Sequence, residues 1–184
     1  MKEQKTVLLC YSSLMCALII VSTLWLKFSL PGTDMMVTTQ VFFILLCGQI
    51  LPSRYCLYTI GAYVLIGLCG VPVFSAAAGP AVIATPSFGY LLGFPFAAMT
   101  TARLRVGLKQ KKGSDLFASL AGLAVLYGIA LSYIAFLKGV VLAAPLPFAT
   151  LATAYFLAFL PLDICKAVLA AFLGKRLRAI LRLS

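Results

Sequence analysis

Long apolar blocks run the whole length of the chain, each ended by a short polar, basic or proline-bearing break. A helix that crosses a bilayer takes roughly 20 residues, so the blocks predict helices over about 7–28, 37–51, 55–70, 87–103, 116–137 and 161–180. The expected fold is an all-α membrane protein, residues 1–184 forming a single integral membrane domain of six transmembrane helices. Nothing remains over for a soluble catalytic domain.

The stretch Gly67 to Phe94 breaks this regularity while staying charge-free and apolar. It carries Pro72, Pro80 and Pro86, each of which removes a backbone donor and biases the residue before it away from helix. A helix should therefore end near Gly70, and an irregular connection should run from Val71 to Pro86 before the next helix begins around Ser87. Lipid offers such a backbone no hydrogen bonds, so at membrane depth it must be buried in protein or line a cavity. It is read as a capping loop, the lid and wall of a ligand pocket between helices three and four. A second break holds Pro145, Pro147 and Pro161, and proline in a first helical turn places the start of the last helix at Pro161 or Leu162.

Composition agrees with the pattern: 63% of residues are hydrophobic, 10% are charged, and the mean hydropathy is +1.09. The net charge of +11 changes the picture only through its placement. Lys2, Lys5, Arg54, Arg103, Arg105, Lys109, Lys111, Lys112, Lys175, Arg176, Arg178 and Arg182 fall at alternate ends of the predicted helices, against Lys27 and Lys138 on the other side. Cytoplasmic loops collect Lys and Arg, so both termini are expected in the cytoplasm of a multi-pass plasma-membrane protein that meets the lipid bilayer and no nucleic acid. The apolar segment that follows Lys5 is too long for a cleaved signal peptide and is read as a retained first helix. Six scattered cysteines without a CxxC pair, and no histidine, give neither a disulfide framework nor a metal site.

Asp163 and Lys166 are the only oppositely charged pair inside an apolar block, and three residues apart they share one helix face. Ionisable groups cost about 2.5 to 3.5 kcal/mol each at the centre of a membrane helix, so they mark a functional cavity unless they merely neutralise each other. Lys166 would supply a point charge for a carboxylate, and Asp163 would accept from ring N–H groups. Gln40, Ser75, Ser87 and Tyr90 could add polar atoms, and Phe74, Phe88 and Phe94 apolar surface. Gly89 and Gly93 have the spacing of a helix contact that would thin the pocket wall. With no histidine and no nucleophile beside a base, the inventory suits a binding protein rather than an enzyme, and it calls for no cofactor. Nor is there a phosphate loop, so uphill transport would need a partner or an ion gradient.

The run Gly70, Val71, Pro72, Val73, Phe74, followed by Pro86, Gly89, Tyr90, Gly93 and Phe94, resembles the signature of the BioY family, biotin-binding S components of energy-coupling factor (ECF) transporters. Thr38 and Gln40, Pro52 and Arg54, and the Phe159, Pro161, Asp163, Lys166 element are similar to further family motifs, in order along nearly the whole chain. The resemblance implies biotin capture and uptake, with the ligand held near Asp163 and Lys166. It implies an EcfT-type transmembrane subunit and two ATPase subunits as partners, and helix one, with Ser13 and Ala17, as the docking surface. Ser75 to Gly79 stand where the family has a glycine-rich run, and Phe88 and Leu162 where it has glycine, which implies a stiffer loop and a more crowded pocket. An S component for another vitamin, and a structural membrane protein whose polar residues merely pack, are the competing readings.

Overall fold

Helices take up almost the whole chain because apolar blocks without water to bond must satisfy their backbone internally. The computed structural model describes residues 2–29, 36–75, 77–108, 113–141, 147, 150 and 153–181. The readings for Lys109, Lys111, Lys112, Pro145, Arg182 and Ala76 lie outside those residues. Helix α1 is Lys2–Trp25, and a two-stranded antiparallel ribbon follows, β1 Lys27–Ser29 with β2 Met36–Thr38. Then come α2 Gln40–Ile50, α3 Ser53–Leu68, a 3-10 helix Gly79–Ala84, α4 Ser87–Gly107 and α5 Ser114–Phe136. Helix α5 runs on as a π-helical turn, Leu137–Val141, and a second such turn, Thr153–Leu157, precedes α6, Leu160–Leu181.

The ribbon corrects the expected bounds of the first two helices. Helix α1 stops at Trp25, and Val37 and Thr38 are strand, Thr38 pairing with Lys27. The chain there satisfies its backbone across the ribbon rather than along a helix axis, and Gln40 becomes the first residue of α2. The other bounds move by two residues at most, apart from five at the start of α1 and four at the end of α4, and Pro161 does sit in the first turn of α6.

Helix α2 is the hub. It touches all five other helices, and it buries its whole length from Ile44 to Ile50. Its 11 residues rise only about 16 Å, so it is shielded by its neighbours instead of matching the bilayer. Among the described residues, three helical stretches are long and apolar enough to cross a membrane: Gln4–Trp25, Ser114–Val141 and Thr153–Leu181. Helices α4 and α5 pack backbone to backbone. A methyl group added at Gly89 would stand 2.8 Å from the Ala130 carbonyl oxygen, and one at Gly93 2.8 Å from Leu126 Cδ1.

The two ends of this bundle differ in chemistry. At one end Arg178 donates to the Gln49 carbonyl oxygen (2.6 Å), to Gln49 Oε1 (2.9 Å) and to Asp115 Oδ1 (2.7 Å), tying α6 to α2 and α5. Gln49 Nε2 in turn donates to the Asp115 carbonyl oxygen and to Ser119 Oγ. Arg54 at the start of α3 and Arg103 and Arg105 at the finish of α4 belong to this end. The ribbon, the Val71 to Pro86 connection and the start of α6 lie at the other.

Candidate ligand-binding site

At that second end, Pro161 starts α6 and puts Asp163 in its first turn, where the helix dipole favours a carboxylate. Asp163 is 3% exposed, and a charge so buried must be paired. Lys166 Nζ donates to Asp163 Oδ1 at 2.7 Å, and the Tyr127 hydroxyl, from α5, donates to Oδ2 at 2.8 Å. Lys166 also donates to the Thr38 carbonyl oxygen at 2.8 Å, which joins α6 to the ribbon. That leaves one of the three ammonium donors for another acceptor. Each carboxylate oxygen likewise keeps a lone pair. The acid and base therefore touch one another without exhausting each other.

Both line a cavity of about 570 Å³, counting its open mouth. Its polar wall is Gln40, Tyr63, Ser75, Ser87, Tyr90, Asp163 and Lys166, and Phe74, Phe94 and Phe159 give aromatic surface. Pockets for small ligands are concave, mostly apolar and supplied with a few convergent polar groups. This one is of that kind. Gln40, Phe74, Ser75, Ser87, Tyr90, Asp163 and Lys166, far apart in the sequence, thus come together here. Gly89 does not: it faces α5, and Phe88 stacks edge-on with Tyr133 at 5.5 Å instead of lining the cavity. Ser13 and Ala17 are exposed on the outer face of α1.

Contacts to α3 and α5 tie the Val71 to Pro86 connection to the bundle beside the cavity. On the α3 side, Gln40 Nε2 donates to the Tyr63 hydroxyl (2.8 Å), which donates to the Val73 carbonyl oxygen (3.3 Å). The Phe74 ring lies edge-on to Tyr63 at 5.4 Å and covers the bare face of Gly67. Toward its far end, the Tyr133 hydroxyl of α5 donates to the Ile83 carbonyl oxygen, and within the connection Thr85 Oγ1 donates to the Val82 carbonyl oxygen. Sequence reasoning passed over Tyr63 and Tyr127. The signal for both was the same, a tyrosine in an apolar helix whose hydroxyl needs an acceptor.

A multi-pass membrane protein with a small-molecule cavity at the end of its helix bundle is the class that this fold and site define. The BioY family model matches residues 1–183, and the chain belongs to the BioY family. It is 30% identical over 184 residues to a probable biotin transporter BioY of Lysinibacillus sphaericus, covering 99% of this chain and 92% of that protein. The biotin transporter BioY of Thermotoga maritima is 31% identical over 167 residues, 88% of this chain and 90% of the relative. Among solved structures, the S-component for biotin from an ECF-type ABC transporter superposes with a TM-score of 0.86 at 25% identity, covering 97% of this chain and 94% of the other.

Proposed function

We propose that this protein captures biotin and takes it up across the cytoplasmic membrane as the substrate-binding component of an ECF-type transporter. It is a transport protein and not an enzyme, in keeping with its family and with relatives named as biotin transporters. The observation that carries the reading is the meeting of the membrane-buried Asp163 and Lys166 with the proline-broken connection around one cavity. Biotin offers a ureido ring with two N–H donors and a carbonyl, a thioether ring and a valerate carboxylate. Asp163 accepts from a ring N–H, Lys166 gives its remaining donor to a ligand oxygen, and Gln40, Ser75, Ser87 and Tyr90 provide further polar contacts. Phe74 and the aromatic wall cover the apolar rings, and Gly89 acts only by letting α4 close on α5.

In this reading all six α-helices cross the membrane, 1–184 is one integral domain, and the Val71 to Pro86 connection caps the ligand at the outer face. Both termini are cytoplasmic. The chain supplies no ATP-hydrolysing machinery, so delivery depends on an EcfT-type transmembrane subunit and two ATPase subunits, docked on α1 through the small exposed residues Ser13 and Ala17. Ligand binding to the purified protein in detergent tests the reading. Mass spectrometry should find biotin among co-purifying small molecules, and Lys166→Ala and Asp163→Asn should each abolish biotin retention. Biotin at one hundred times its dissociation constant should add about 2.7 kcal/mol of stability. Unchanged affinity in both variants would remove Asp163 and Lys166 from the site, and stabilisation by thiamin, riboflavin or pantothenate in place of biotin would reassign the ligand.

A further inference from the structure

Tyr127 takes no part in the cavity wall, yet it holds half of the carboxylate of Asp163, the one acidic side chain among the described residues of that wall. It sits on α5, 3% exposed, behind the wall. Its ring is wedged edge-on between Tyr90 of α4 at 5.9 Å and Phe156 of the second π-helical turn at 5.0 Å. Tyr90 is fixed in its turn, its hydroxyl donating to the Tyr155 carbonyl oxygen at 2.7 Å. The Tyr127 ring therefore has no room to swing, and its hydroxyl reaches Asp163 Oδ2 at 2.8 Å.

The consequence lies in the geometry of the carboxylate. Lys166 stands one helical turn from Asp163 and pulls on Oδ1 alone. A single monodentate contact from the same helix leaves the carboxylate plane able to rotate about its last torsion, which is broad for aspartate. Tyr127 adds a donor from a different helix on the other oxygen, and two donors from two directions fix the plane.

We propose that Tyr127 is a positioning residue for ligand recognition: from behind the wall it orients Asp163 so that its remaining lone pairs meet N–H donors of the bound ring. This selects a ligand head that donates over one that only accepts. The inference rests on the reading of the cavity as a biotin site. Contact with the ligand belongs to Asp163, and Tyr127 acts through it.

Tyr127→Phe removes the hydroxyl and keeps the ring between Tyr90 and Phe156. The purified wild-type protein and the variant are titrated in detergent with biotin and with N-methylbiotin, in which a ureido N–H is replaced by N–CH3. The expected result is a biotin dissociation constant raised on the order of tenfold, with N-methylbiotin affected much less, so that the wild-type preference for the N–H form shrinks. A fall in melting temperature alone decides nothing, because any buried hydroxyl lost would cause it. The preference ratio is therefore the readout. An unchanged ratio, whether both affinities hold or both fall together, overturns the positioning role while leaving the biotin site standing. A wild-type protein that binds neither compound overturns the biotin reading itself, and this inference with it.

Discussion

Phe74 reaches the cavity because α3 is bare where its ring needs to lie. A β-carbon added at Gly67 would stand 2.1 Å from Phe74 Cζ, so the two residues act as knob and socket, the knob fixing one end of the Val71 to Pro86 connection. Overpacking of this kind costs about 1–3 kcal/mol, and here the strain has a cheap escape, expulsion of Phe74 from the mouth. Gly67→Ala should therefore leave the helix bundle folded, as read by monodispersity and circular dichroism, while weakening biotin binding and the thermal shift that biotin produces. An unaltered dissociation constant would show that the socket does not position the lid. At this scale Asp163, Lys166, Phe74, Tyr90 and Phe94 were legible as cavity residues, and the two tyrosines that brace the cavity from α3 and α5 were not. Asp163 and Lys166 stand out because a charge in an apolar block has few innocent explanations. Tyr63 and Tyr127 look like any core aromatic until a fold shows which carbonyl or carboxylate their hydroxyls meet.

Helix α6 is fastened at both ends, by Lys166 to the ribbon and by Arg178 to α2 and α5. The two fastenings stand on the order of 18 Å apart along the helix axis, so they should act independently. Arg178→Ala would strip partners from Asp115 Oδ1 and Gln49 Oε1, which remain largely buried. Groups left so cost about 1–3 kcal/mol, and the expected outcome is a lower melting temperature with an unchanged biotin dissociation constant. A marked loss of affinity would mean that the two ends of α6 are coupled. The helices themselves were legible because the apolar blocks report them directly. The ribbon was not, because pairing of Lys27–Ser29 with Met36–Thr38 is a contact between segments, and Val37 and Thr38 run into an apolar block that hides the strand's end. Gln49 and Asp115 were also silent, since their value lies in a network that only the packed bundle assembles.

For the whole molecule, the chain's course sorts its chemistry by end. Helices α3 and α4 run to and from the capping connection, so Arg54 and Arg105 share the end at which Arg178 meets Asp115, and the cavity takes the opposite end. On the proposed reading, six passes return the chain to the side it started from, with that side cytoplasmic by its Lys/Arg bias. An outward-facing capture site follows from that reading of the basic loops, without reference to the ligand. Native Cys69 gives the means to test this: it caps α3 beside the cavity mouth and is exposed. With the other five cysteines replaced, Cys69 should react with a membrane-impermeant maleimide added to intact cells. In a background lacking all six, Ser114→Cys at the start of α5 should react only once the membrane is opened. The reverse pattern would place the cavity on the cytoplasmic side, where capture of an external vitamin is impossible. The orientation claim and the uptake claim therefore stand or fall in the same measurement.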